Sequence, residues 1–489
     1  MSNSPTTSVP EATPATGPGR IHRNMGWRDG FALALSIPVG AFMLIGYSIG
    51  ALGAWTAAAL WGTSCIIALL QNYLYAEMAA MFPDKPGGIA MYAHEAWKRY
   101  LEPVGPLAAV GYWAGWSFVL AVFSLIIGDL LTAQFFPDAT WKVSDGLVEI
   151  GPGHLIAVAA IFCVWLLNIF GVKPAVRFNK LLGGVAVIAI IVLLVGSMVT
   201  GHWSSHVLSW GKLGETDQPW HGWQLALVYL YVMGWTSYAT EIGATMTPEY
   251  KDHKRDTSRV LISSSLLSLL LLVGGVITTA GVSSSENAIN NDPIGYLPTA
   301  FQTVLGGGSI VMTLVIVAAL FVMMTSSTAD AGRALYGIAK DGMVIRQLDY
   351  LNKEGMPSRA MTLDLVINIV LVLFVGNTLG VLFASNLGYM LAIFFALVGF
   401  LLLRKDRPDW PRPVKRARIW IPVAFVLAAI TAFLNVLGIM YSGVAGYGSI
   451  TDTLVGFAVL ASSLVLWAYR RIVQDRQPLR LRDRSYIGD

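Results

Sequence analysis

Glu241 lies in the run Met233-Gly234-Trp235-Thr236-Ser237-Tyr238-Ala239-Thr240-Glu241, inside an otherwise apolar stretch long enough to cross a bilayer. An unpaired carboxylate at that depth is costly enough to be functional by default. Such a group can carry a coupling proton, or it can pin interrupted backbone through hydrogen bonds. A second apolar stretch contains Ser36-Ile37-Pro38-Val39-Gly40-Ala41-Phe42, and a third contains the hydroxyl run Thr325-Ser326-Ser327-Thr328. Pro and Gly in the first two free backbone groups that hydrocarbon cannot satisfy, so these breaks belong where they line a protein cavity. Asp129 is another acid in an apolar stretch, and its expected place is the outer surface. The seven histidines form no metal spacing such as HExxH, the two cysteines lack a CxxC or CxxH companion, and there is no Walker A sequence. No cofactor or metal is expected, and a primary pump is disfavoured.

The elements that must hold these residues follow from composition. Of the 489 residues, 55% are apolar and 13% charged, with a mean hydropathy of +0.61. Soluble chains carry about 25% charged residues, so a soluble enzyme is excluded and the bilayer is the first partner. At about 20 residues per span, twelve candidates emerge: 31–52, 55–81, 106–134, 153–170, 180–200, 222–247, 259–281, 308–330, 361–378, 384–403, 419–440 and 451–470. With a cytoplasmic N-terminus this count places 31 of the 33 Lys and Arg residues inside, leaving Lys142 and Lys212 outside. The positive-inside rule requires that kind of asymmetry. The net charge of +4 gives no reason to expect nucleic acid. The first 20 residues are rich in Ser, Thr, Pro and Ala without an apolar core, and residues 1–25 are expected to form a disordered cytoplasmic tail, not a signal peptide. Residues 471–489 form a basic tail, expected to be cytoplasmic and dispensable for folding.

The two interrupted spans, 1 and 6, are five apart. An odd repeat length starts the second half on the opposite face of the membrane, which is the arithmetic of an inverted repeat with its site between broken helices.

Short motifs lead to a family. Ala76-Glu77-Met78, Phe82-Pro83, Pro86-Gly87-Gly88 and Tyr92 resemble the block that follows the second span in amino acid/polyamine/organocation (APC) transporters. Glu249-Tyr250-Lys251-Asp252 is similar to that family's E-x-K-N-P turn, with Asp252 and His253 in place of Asn and Pro. Arg333-Ala-Leu-Tyr336, Ala339-Lys-Asp341-Gly342, Gly355-Met-Pro357 and Arg359-Ala360 continue the likeness, which runs from about Gly26 to Arg418. The resemblance implies an all-α integral membrane protein of twelve transmembrane helices, a LeuT-like 5+5 inverted repeat plus two peripheral helices. Residues 26–405 would form the transport core, with repeats at about 31–200 and 222–403, and residues 406–470 the peripheral pair. The protein would be a secondary transporter of amino acids or related amines, in the cell membrane with both termini cytoplasmic.

The resemblance also implies the site. Ile37, Pro38, Val39, Gly40, Ala41, Phe42, Met233, Gly234, Trp235, Thr236, Ser237 and Tyr238 would surround the substrate. Trp235, six residues before Glu241, falls where related carriers place an aromatic gate. Two departures bear on mechanism. Val39-Gly40-Ala41-Phe42 stands where many members have Gly-Ser-Gly, so Phe42 would narrow an α-carboxylate pocket. Ala186 stands where the family carries a lysine tied to proton coupling. Glu241 is therefore the expected coupling group and a proton the expected ion. Sodium held by Ser326 and Ser327 is the alternative, together with exchange of an organic amine or acid. A twelve-helix major facilitator carrier, a membrane-embedded enzyme and a channel are the remaining competitors.

Overall fold

A computed structural model of the chain describes residues 21–144, 149–211, 221–374, 378–445 and 450–483. Residues 1–20 and 484–489 of the two expected tails, and Lys212, lie outside the described residues.

The first apolar stretch is three short helices, α1 (Trp27–Ala34), α2 (Ser36–Phe42) and α3 (Ile45–Leu52). They are followed by α4 (Ala54–Met81), α5 (Gly88–Trp97), α6 (Val104–Ser117) and α7 (Val119–Phe135). A two-residue hairpin, β1 (Val143–Ser144) with β2 (Glu149–Ile150), precedes α8 (Pro152–Ile169) and α9 (Val172–Val199). Next come α10 (Gly222–Ser237), a 3₁₀ segment over Tyr238–Glu241, and α11 (Ile242–Thr245). The chain continues through α12 (His253–Val282), α13 (Glu286–Asn291), α14 (Tyr296–Leu305), α15 (Ser309–Lys340), α16 (Ser358–Phe374), α17 (Thr378–Asp406), α18 (Trp420–Met440) and α19 (Ile450–Tyr469).

Among the described residues, ten helical segments are long and apolar enough to cross a membrane. Each coincides with one of the twelve stretches expected from hydropathy. The two that fall short are α10, ended at Ser237 by the 3₁₀ segment, and α16, which is 17 residues long. The chain is therefore a helical, multi-span membrane protein. Helix α9 begins at Val172 and α15 runs to Lys340, because the membrane helices extend past the hydrocarbon as regular helix.

Two expectations about span ends need correcting. Ser36–Phe42 is helical throughout, and the interruptions flank it at Leu35 and at Met43–Leu44. Pro38 sits in the first turn of α2, where it lacks an N–H to donate; Leu35 itself stays in the right-handed helical region, and residues 39–42 are not unwound. The tails are also shorter than expected. Met25 is buried at 2% exposure and pairs its backbone with Glu249 and Lys251. The C-terminal stretch is docked, with Glu102 N donating to Leu481 O and Asp483 N to Lys98 O, both at 2.8 Å. Arg471 pairs with Glu102, and Arg346 with Asp475 at 2.7 Å. Residues 471–483 thus pack on the folded body.

At the same end of the bundle, buried acids collect the basic residues of several connections. Glu77 takes Arg404 at 2.6 Å and Arg412 at 3.3 Å. Glu95 takes Lys85 at 2.6 Å, with Lys98 and Arg407 at 3.0 Å. Burial alone would raise the Glu95 carboxyl, but the charges of Lys98 and Lys85 override it and hold the group well below the usual carboxylate range. Burial pushes the neighbouring His94 imidazole down to about 4.

Candidate functional site

The site is built where the interrupted helices meet. Helix α10 ends at Ser237, and the 3₁₀ turn that follows is held by polar side chains from its neighbours. Ser237 and Ser64 hydroxyls lie 2.6 Å apart, and Asn72 Nδ2 donates to Thr240 Oγ1 and to Ser265 Oγ, each at 2.8 Å. These side chains from α4 and α12 do for the break what water does in solution. Gly234 leaves room for the Tyr238 ring, since a Cβ there would stand 2.9 Å from Tyr238 Cε2.

Trp235 separates two cavities. On one side lies a cavity of about 70 Å³ whose walls include Leu44, Tyr47, Trp61, Ile126, Tyr229 and Thr236. On the other is a space of about 10 Å³, the size of one water, between Gly115, Trp116, Ala239, Met323 and Tyr389. The Trp235 indole N–H donates to Gly115 O at 3.0 Å, and its ring meets Phe123 edge-on at 6.0 Å. Gly115 is in the last turn of α6, where carbonyls have no helical partner, so the indole caps a helix end while its ring lines both cavities.

Beneath the smaller cavity, Glu241 is fully buried. Its Oε1 accepts from Tyr389 Oη at 2.8 Å and from Trp116 Nε1 at 3.2 Å, while Oε2 has no hydrogen-bond partner. The spacing of an acid six residues after an aromatic thus places Trp235 in the wall of the smaller cavity and Glu241 on two other residues of that wall, Trp116 and Tyr389.

Of the other sequence-derived site residues, Met233 and Thr236 line the larger cavity. Ser237 faces α4, and Tyr238 is buried. Ile37, Pro38, Val39, Gly40, Ala41 and Phe42 are all buried in α2, and none reaches either of these cavities. Gly40 packs on Met323 of α15, whose Cβ would be 3.1 Å from a Cβ at position 40. Phe42 does not narrow a carboxylate pocket. Its ring fills the space above Gly275 of α12, where Cε2 would lie 2.5 Å from an added Cβ. The start of α3, at Leu44, is what borders the cavity from the first span.

Ser326 donates to Leu33 O at 3.0 Å and accepts from Asn179 Nδ2 at 2.7 Å, and Leu33 O also accepts from Ser36 Oγ at 2.6 Å. Ser327 Oγ is buried without a partner. Ala186 is buried in α9, and Asp129 is exposed near the end of α7.

Sequence reasoning missed the rest of the cage. Asp330 on α15 and Asp364 on α16 are fully buried, and no oxygen of either completes a hydrogen bond. Asp330 stands beside the hydroxyls of Tyr112 and Thr245, which lie 3.2 Å from each other. The span expected at 308–330 ends on Asp330, whereas α15 continues to Lys340. The place of Asp330 two residues after the hydroxyl run was the available signal. Asn368 of α16 accepts from Ala121 N at 3.0 Å and donates to Ser117 Oγ at 3.0 Å, bracing the break at Phe118 between α6 and α7.

The residue pattern described as amino acid permease matches residues 25–464. The chain belongs to that family. It is thereby a membrane transport protein of the APC superfamily. The branched-chain amino acid permease of Lactococcus lactis is 22% identical over 432 residues, covering 83% of this chain and 90% of the relative. An uncharacterized amino acid permease of Bacillus subtilis is 22% identical, covering 66% and 71% of the two chains. The D-serine/D-alanine/glycine transporter of Escherichia coli is 21% identical, covering 67% and 72%.

Proposed function

We propose that the chain is a proton-coupled carrier of neutral amino acids with apolar side chains, working by alternating access in the cell membrane with both termini cytoplasmic. Its twelve spans would be ten core helices in two inverted halves of five, followed by α18 and α19. The interruptions in the first and sixth spans, at equivalent places in the two halves, support this arrangement.

The single observation that carries the reading is that Trp235 lines both cavities and that the smaller one shares Trp116 and Tyr389 with the buried carboxyl of Glu241. The start of α3 brings the positive end of a helix dipole to the cavity wall at Leu44 and Tyr47, where a substrate carboxylate is favoured. The end of α10 offers carbonyls to an ammonium. Both charges of a zwitterion are then met by backbone, which fits a cavity with no ionic wall group among the described residues. Aromatic and aliphatic walls favour an apolar side chain by burial, and the name of the Lactococcus relative agrees with that class.

Glu241 is the proposed coupling group. A carboxyl with one idle oxygen in the apolar core is stable when neutral, and it becomes an acid when the surroundings open to water. Ser326 is engaged with Leu33 and Asn179, and sodium at the unpartnered Ser327 hydroxyl is the alternative.

The test is a thermal-shift screen of the purified protein against the neutral, acidic and basic amino acids, polyamines and small organic acids, because a ligand that binds only the folded state stabilises it by mass action. Stabilisation by leucine, isoleucine or valine is expected. Stabilisation by polyamines or organic acids alone would overturn the substrate class.

A further inference from the structure

The buried charges of the core do not balance. Arg333 is the cation nearest Asp330, one helical turn along α15, and it is already paired with Glu249 while donating to Ala329 O at 2.7 Å. Asp330 and Glu241 are both fully buried, and among the described residues no other cation stands beside Asp330. Two anions without counter-charge in such a place are not tenable, so the pair must hold at least one proton.

The geometry also connects the two acids. Tyr112 lies beside both, and its hydroxyl, 3.2 Å from that of Thr245, would turn from Thr245 to reach the unpartnered Oε2 of Glu241 and the unpartnered oxygens of Asp330. Thr245 follows Glu241 by one turn on the second half of the broken span, and Tyr112 precedes Trp116 by one turn on α6. Titratable groups around the pair are Tyr75 of α4, Tyr112 of α6 and Tyr389 of α17, with Arg333 and its partner Glu249 on the side away from Trp235.

We propose that Asp330 is a second proton-binding carboxyl of this carrier, exchanging its proton with Glu241 through the Tyr112 hydroxyl. The step balances: the Glu241 O–H bond breaks as the proton passes to Tyr112 Oη, and the tyrosine's own proton forms an O–H bond on Asp330. Glu241 is left as a carboxylate, and Tyr112 ends neutral, as it began. Thr245 holds the phenol hydroxyl between transfers. Asp330 is then the last proton station before the Arg333–Glu249 pair at the basic end. This inference rests on the proton-coupled reading above.

Two measurements test it. Infrared difference spectra of the purified protein between acid and alkaline pH need no substrate. Among the carbonyl-stretch bands of buried protonated carboxyls, to which Asp364 also contributes, one should be lost in Glu241→Gln and another in Asp330→Asn. An Asp330→Asn spectrum equal to that of the wild type overturns the proposal. In proteoliposomes with L-leucine as probe and acid outside, Asp330→Asn should lose gradient-driven accumulation while exchange of labelled for unlabelled leucine continues. Tyr112→Phe should lose accumulation with both infrared bands retained, which decides the matter if Asp330→Asn fails to fold. Full accumulation by Tyr112→Phe refutes the bridge. Wild-type uptake without proton movement refutes the coupling reading itself, whereas proton-coupled uptake by both wild type and Asp330→Asn refutes only the role of Asp330.

Discussion

Replacing Trp235 by Phe isolates the one hydrogen bond that holds the expected aromatic gate shut. The smaller ring can keep the edge-on meeting with Phe123, now at 6.0 Å, but the donor to Gly115 O at 3.0 Å is gone. That carbonyl lies in the final turn of α6 and has no helical N–H to replace it. Leaving a buried acceptor without a partner costs about 1–3 kcal/mol, and one to two of those correspond to a factor of about 5–30 in the closed-to-open equilibrium. A phenyl ring also buries less apolar area than an indole, which weakens closure further, so the lower figure is a floor. The assay is the rate at which a membrane-impermeant thiol reagent labels Ala239→Cys, a position lining the smaller cavity behind Trp235, in a background lacking Cys65 and Cys163. Labelling should accelerate by about 5–30-fold in Trp235→Phe, in proportion to the open population. An unchanged rate in a well-folded variant would refute both the closure by Trp235 and the role of the Gly115 hydrogen bond.

Glu241→Gln mimics the protonated acid and should abolish accumulation driven by a pH gradient while counterflow exchange continues; full accumulation would remove Glu241 from coupling. Exchanging sodium for choline should leave proton-coupled uptake unchanged, and loss of uptake would move the assignment to the hydroxyls of α15. Glu95→Gln strands three cations around a neutral amide and should destabilise the protein by about 3–5 kcal/mol, read as a fall in melting temperature. His94 is held neutral, so unfolding takes up a proton below its ordinary 6.5. Its contribution is complete above 6.5 and is lost as pH falls toward about 4, by up to about 3 kcal/mol. His94→Gln should flatten that part of the stability profile.

Hydropathy located the membrane helices because burial in lipid is a property of long runs, and single residues hardly disturb it. Local geometry was less legible. Pro38 and Gly40 promised an unwound stretch, yet proline is tolerated in a first turn, and the interruption moved to Met43–Leu44, where no residue type announces it. Phe42 looked like a bulky residue in a pocket until Gly275, distant in sequence, supplied the space for its ring. Trp235 and Glu241 were legible because one short helical stretch carries both. Asp330 and Tyr112 were not, since their meaning depends on α15 and α6 packing side by side. The docking of the C-terminal stretch was not legible for a related reason: it uses backbone groups and ion pairs, which leave no apolar stripe to read.

The central claim is that an apolar amino acid and a proton cross together. Its most direct measurement is the external pH of a weakly buffered suspension of proteoliposomes on adding L-leucine. Alkalinisation that follows leucine uptake and disappears in Glu241→Gln is expected. Leucine uptake with no change in external pH would contradict it.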